Sequence, residues 1–261
     1  MRGPFGVLDC RAMTSDAWDL AHAAAETAGV ILRPLTSLGD ADTILRVMIA
    51  TWGEHQLIPR EEILALAESG NVPWGADAGD ETIGYVLGWA GIDPEDGLHL
   101  HSHMLAALPD RRHRGVGYAL KLAQRAACLD QGIHLVRWTF DPMISRNAWF
   151  NVGKLGAIAD RFHRNFYGEM TDSLNAGERS DRLVVRWELD RPPGPRAAPA
   201  VHETIVVPRE YDAMRTSDRA AASAERDRAA AAFEDAFARG KIVVSFDRDS
   251  ATYALAQGPY S

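Results

Sequence analysis

Residues 108–120 read LPDRRHRGVGYAL. Three arginines and a histidine stand before two glycines one residue apart, in a chain whose formal net charge is -8. A strand-like run precedes this stretch and a helix-like run follows it. A helix N-terminus leaves backbone N–H groups unpaired and carries partial positive charge. Glycines let a ligand approach the backbone closely, and arginines add charge-assisted bonds to phosphate oxygens. Together these make a cradle for a pyrophosphate. The pattern is R-x-x-G-x-G from Arg112 to Gly117, with Pro109 three residues ahead. It matches neither G-x-G-x-x-G nor the G-x-x-x-x-G-K-[ST] phosphate loop. A plain strand-to-helix turn with solvated arginines is the other reading of the same residues.

The 261 residues suffice for one large domain, or for one domain plus an appendage. Hydrophobic content of 46% and charged content of 25% are ordinary globular values. The acidic balance argues against broad binding of nucleic acid or of an anionic membrane. Cys10 and Cys128 are too few for a disulfide framework and belong to no Cys/His cluster, which points to the reducing cytoplasm. No apolar run reaches membrane-span length, and MRGPFGVLDCRAM lacks the layout of a signal peptide.

Outward from the glycine turn, the punctuation predicts an alternation of elements. Residues 1–14 show no period and are expected to form an arm. Ser15 is placed as the N-cap of a helix ending at Gly29. A strand at 30–33, a helix with Ile44, Val47, Met48 and Trp52 on one face, and a helix opened by Pro59 follow. Strands are expected at 73–78, 82–91 and 97–107, then the helix after Gly117 and a buried strand at 133–140. A short helix at 147–155 and strands at 158–167 and 183–189 complete the set. The run DRPPGPRAAPA at 190–200 is the best boundary. Beyond it a strand at 204–207, one helix over about 209–239 with Phe233 and Phe237 on one face, and a hairpin are expected. The expected division is an arm and helix at 1–29, a main domain at 30–190, a linker at 191–201 and a small α/β appendage at 202–261. That appendage is expected to dock on the main domain or on a partner subunit.

Arg112-His113-Arg114-Gly115-Val116-Gly117 resembles the acyl-CoA loop of the GNAT superfamily of N-acyltransferases, [QR]-x-x-G-x-[GA], which commonly carries a Pro where Pro109 stands. The resemblance covers about 30–190. It implies an α/β (α+β) GNAT fold with a mixed central sheet of about seven strands and flanking helices. It also implies that Arg112, His113, Arg114, Gly115, Val116, Gly117 and Tyr118 hold the pyrophosphate of acetyl-CoA or another acyl-CoA. The strand before the loop, through Leu105 and Ala107, would pair with the pantetheine arm, and Asn147 would touch it. No metal is expected.

An alkylammonium has a pKa of roughly 10, so attack on a thioester needs a base, ideally one with a pKa near 7. The strand entering the loop reads LHLHSHML. Alternation puts His99, His101 and His103 on one face and Leu98, Leu100, Ser102 and Met104 on the other, the core side. The histidines read as a metal site, as satisfied structural residues, or as a base and proton relay, the preferred reading. The chain is similar here to aralkylamine N-acetyltransferases, whose His-x-His pair on this strand falls on His101 and His103. His99 would then pass protons to solvent.

Many GNAT enzymes protonate the leaving thiolate with a Tyr where this chain has Val152. Tyr167 is the substitute candidate, or else a packed aromatic. Asp141 is read either as holding the acceptor's ammonium or as part of a turn leading into a helix. Arg161, Arg164, Arg179 and Arg182 are read either as a carboxylate-binding group or as a solvated face. Of the 28 Lys and Arg residues only Lys121, Lys154 and Lys241 are lysines, so arginine is the default cation. The implied activity is transfer of an acetyl or other short acyl group, succinyl included, to a small-molecule amine or amino acid. No nucleic-acid or membrane partner is expected, and a homodimer is allowed. The alternatives are a catalytically silent acyl-CoA-binding GNAT protein and a protein N-acyltransferase.

Overall fold

The computed structural model describes residues 10–54, 57–111, 114–168, 179–196 and 203–258, without the side chains of 10–12 and 111. These residues fall into two compact units, one within 10–136 and one within 137–258.

The first unit begins with α1 (Cys10–Ala28) and β1 (Ile31–Pro34). The helix starts five residues earlier than expected, so Ser15 lies inside it and caps nothing. α2 (Leu38–Trp52) opens on a capping box: Asp40 N donates to the Ser37 side chain, and the Asp40 carboxylate accepts from Ser37 N. α3 (Arg60–Glu68) follows, with Pro59 as its N-cap residue. β2 (Trp74–Ala78), β3 (Glu81–Asp93) and β4 (Gly97–Ala107) then form an antiparallel array in the order β1-β2-β3-β4. A 3-10 turn at Pro109–Arg111 leads to α4 (Val116–Asp130).

Apolar side chains are buried on both faces of this array. On one face Tyr85, Leu87 and Ala106 pack with Ile44, Val47 and Met48 of α2 and Ile63 of α3. On the other, Val86 and Ile83 pack with Ala25 of α1 and Val116, Ala119 and Leu120 of α4. Successive strand residues thus feed two separate cores.

The second unit begins within β5 (Leu135–Phe140) and holds α5 (Ser145–Ala148), a π-helical turn (Trp149–Lys154), β6 (Ile158–His163) and β7 (Arg182–Glu188). β8 (Glu203–Val206), α6 (Tyr211–Ser217), α7 (Arg219–Ala238), β9 (Lys241–Asp247) and β10 (Thr252–Gln257) complete it. Its strand order is β5-β7-β6-β9-β10-β8.

The described residues thus form ten strands, where about seven were expected in the central sheet. The additional three are β8, β9 and β10, and β9 pairs with β6 at Ala159–Val243. The single helix expected over 209–239 is two. Asp218 breaks it and caps α7 by accepting from Ala221 N. Phe233 and Phe237 do share a face, and Phe233 stacks on Phe162 at 5.5 Å between ring centroids.

Candidate active site

Gly115 is the N-cap of α4 and adopts φ 89°, the left-handed region that costs other residues most. As a glycine, this N-cap residue has no side chain with which to cap the helix. The first α4 amides with backbone partners are those of Tyr118 and Ala119, both donating to Gly115 O. Ahead of Tyr118 the first turn of α4 presents backbone N–H groups at the helix mouth, as a helix N-terminus does.

Gly117 is different. Its φ is not positive, and a Cβ built there would meet only Leu105 Cδ2, at an ordinary 3.6 Å. Among the described residues neither backbone geometry nor packing requires glycine at 117. A diphosphate against those amides fits such a surface. Val116 is buried, Gly117 and Tyr118 are half-buried, and Arg114 is exposed beside the turn. Leu105 and Ala107 pack toward the α4 core. Arg112 and His113 lie outside the described residues.

The strand ahead of the turn does not alternate evenly. Met104 pairs with Leu87 and Ser102 with Gly88, so His103 is an extra residue in a β-bulge. A Cβ on Gly88 would lie 2.5 Å from His101 O, so only glycine lets β3 close against the bulge. One consequence corrects the expected pattern: Met104 lies on the histidine side, where it accepts from Tyr85 Oη at 3.5 Å. Leu100 and Ser102 are buried as expected, but Leu98 is exposed near the hairpin end.

The bulge brings the imidazoles of His101 and His103 together. Their centroids lie 5.7 Å apart, and both rings lean on Trp89, at 5.2 and 4.6 Å. Burial lowers the His101 pKa to about 4, with further lowering from His103, His99 and Lys121. Burial lowers His103 as well. Both rings are therefore neutral at pH 7, and His101 falls well short of the value near 7 wanted in a base. His99 does not join them as a relay to solvent. It is buried, with Nδ1 3.2 Å from Gly97 O. Among the described residues no three His, Cys, Asp or Glu side chains are grouped to hold a metal ion.

Lys121, which sequence reasoning passed over, lies buried on α4 behind this strand. Its Nζ donates to Ser102 Oγ at 2.7 Å and to Gln124 Oε1 at 3.2 Å. Burial lowers its pKa to about 7. The nearby Cys128 thiol is pushed up to about 12 by burial and is no nucleophile. The available signal was a rare lysine inside the apolar run ALKLA.

In the second unit, Asn147 is exposed on α5. Val152 is buried in the π-helical turn, so no proton donor occupies that position. The Tyr167 hydroxyl lies 3.2 Å from Thr139 Oγ1, and its ring carries the Arg182 guanidinium at 5.5 Å. Asp141 is not an ammonium holder. It is buried and takes a two-pronged pair from Arg226, at 3.2 and 2.9 Å, besides accepting from Met143 N. The arginine group is likewise committed internally. Arg164 grips Glu234, Arg179 grips Asp181 and Asp227, and Arg182 lies 3.9 Å from Asp141. Arg161 is half-buried on β6.

Residues 41–149 match the Acetyltransferase (GNAT) family, and this stretch belongs to that family. Among solved structures, a GNAT-family protein of Desulfovibrio desulfuricans is 22% identical, covering 61% of this chain and 99% of its own, with TM-score 0.46. Arabidopsis thaliana Naa50, solved with the bisubstrate analogue CoA-Ac-MVNAL, is 16% identical over 60% and 97%, with TM-score 0.48. The ribosomal-protein-S18-alanine N-acetyltransferase of Escherichia coli is 12% identical over 67% and 99%, with TM-score 0.49. No curated protein matches the chain. No described helix is long and apolar enough to cross a membrane.

Proposed function

We propose that the chain is an acyl-CoA-dependent N-acyltransferase. It moves an acetyl or other short acyl group, succinyl included, from CoA to the amine of a small molecule or amino acid. One observation carries this reading: Gly117 lacks a side chain that its described surroundings would accommodate, at the mouth of α4. The thioester supplies the activated acyl group. The amides of Val116 and Gly117, with Arg114 beside them, hold the diphosphate. Backbone groups of Leu105 and Ala107 take the pantetheine arm. Arg112, His113 and Tyr118 from the loop complete the assignment by resemblance.

The histidines act as acceptors. Burial disfavours the charged form of His101, and His103, His99 and Lys121 add to this; burial disfavours that of His103 too. A proton drawn from the attacking amine rests on the His101–His103 pair, directly or through water. The amine nitrogen bonds to the acyl carbon, the carbon–sulfur bond breaks, and the thiolate takes a proton from water. A cytoplasmic location, a homodimer and a chain division at 191–201 belong to the same proposal.

The buried Val152 favours a second reading, an acyl-CoA binder without turnover. A screen of acetyl-, propionyl- and succinyl-CoA against a panel of amines, read as free thiol, separates the two. Thiol release with any pair supports the transferase. Tight CoA binding without release supports the binder.

A further inference from the structure

A cavity of about 670 Å³ opens within the second unit, lined by the start of β6, the end of β7, the 191–196 run and β9. Leu155, Ile158, Trp187, Ile242 and Val244 give it apolar walls. The charged groups among its described lining residues are Arg191, Arg196 and Glu188. Volumes of this order enclose a small molecule, with apolar walls giving affinity and a few polar groups giving orientation. The lining shares no residue with the α4 turn or the histidine strand.

Arg196 is fixed in place but thinly paired. Its Nε donates to Gly156 O at 2.7 Å, and its Nη2 reaches Glu188 Oε2 only at 3.5 Å. Glu188 is shared besides, with Arg191 at 3.4 Å and Arg186 at 3.6 Å. The Arg196 side chain is 19% exposed, and burial lowers its pKa in spite of Glu188. A guanidinium taken this far out of water gains from a further anion. The surrounding backbone is braced. A Cβ on Gly156, at φ 73°, would clash with Gly194 O, so only glycine there lets the proline-rich run close on the end of the π-helical turn. Two arginines against one glutamate leave the lining one positive charge, which suits a monoanion, whereas a dianion would crowd Glu188. The planar fork of a guanidinium matches a carboxylate. We propose that this cavity binds a small monocarboxylate with an apolar body, its carboxylate on Arg196 and its body against Trp187, Ile158 and Val244. This site does not depend on the acyltransferase reading and stands or falls separately from it.

The test pairs octanoate with octanamide, which share a body and differ in charge. Both are titrated into the full chain by calorimetry, a readout that needs no turnover. Octanoate is expected to bind at least about tenfold tighter. Arg196→Gln should shrink that ratio to near one. Because Arg196→Gln also gives up the bond to Gly156 O, Gln257→Glu supplies a second arm. It adds a carboxylate to the lining at an exposed position, and should weaken octanoate by about threefold or more while leaving octanamide and the melting midpoint unchanged. Octanoate affinity should be the same in Gly117→Ala and in the presence of free CoA. Equal binding of octanoate and octanamide, or an octanoate affinity indifferent to both Arg196→Gln and Gln257→Glu, overturns the assignment. Displacement of octanoate by CoA, with normal binding in Arg196→Gln, would move the ligand to the α4 turn and overturn it as well.

Discussion

Lys121 Nζ donates to Ser102 Oγ at 2.7 Å, so a buried ammonium is anchored to the residue between His101 and His103. Its pKa, about 7 in the fold, lies below the usual lysine value near 10.5. Below pH 7 the native state carries the buried charge and its full cost. That cost fades as pH rises from 7 to about 10.5, because there the unfolded chain binds the extra proton. At about 1.4 kcal/mol per pH unit the cost approaches about 5 kcal/mol. Lys121→Met removes it but strands Ser102 and Gln124, at about 1–3 kcal/mol. Urea melts across pH should show the variant more stable than wild type at pH 6 and less stable near pH 10. Parallel pH curves for the two proteins would refute the buried ammonium.

Gly115 and Gly117 should separate cleanly. Gly115→Ala forces a side chain into φ 89° and should cost at least about 1 kcal/mol of stability. Gly117→Ala meets only ordinary contact with Leu105 and gains helix propensity, so stability should hold or rise by up to about 1 kcal/mol. Its acetyl-CoA affinity should nevertheless fall about tenfold or more, as read by calorimetry. Undiminished affinity in Gly117→Ala would remove the diphosphate from the turn.

Much of the fold was legible because its signals are local. Pro109, Gly115 and the apolar periods of α2 and α4 mark element ends within a few residues. The bulge was not, since a period of two assumes every residue pairs. Gly88 is its trace, but a glycine in a strand does not say which partner residue is extra. The Asp141–Arg226 pair spans 85 residues and leaves no mark in either neighbourhood. Asp218 ahead of an alanine-rich run was a readable cap, outweighed by the helical composition on both sides. The histidine strand was legible as chemistry, whereas the side each ring faces depended on the bulge.

Asp141 and Arg226 form a pair with both side chains at most 10% exposed. Removing one partner leaves an uncompensated buried charge, costing about 3–5 kcal/mol. Asp141→Asn and Arg226→Met should each lower the melting midpoint strongly, while the double variant loses less than the two losses combined. An Asp141→Asn protein that melts like wild type yet binds amine poorly would restore Asp141 as the ammonium holder.

The pH–rate profile should expose the depressed histidines. A histidine whose folded pKa lies below 6.5 stays neutral, and so able to accept a proton, down to that lower value. With His101 at about 4 and His103 also lowered, the acidic limb of kcat/KM should be centred below pH 6.5. His103→Ala should cut kcat/KM by about 10²–10⁴-fold and abolish the limb. His101→Ala removes one of the groups lowering His103 only if the pair interacts, so a limb that moves to higher pH in that variant supports a shared proton. A wild-type limb centred at 6.5 or above, or one unchanged in His103→Ala, would take the proton away from this pair.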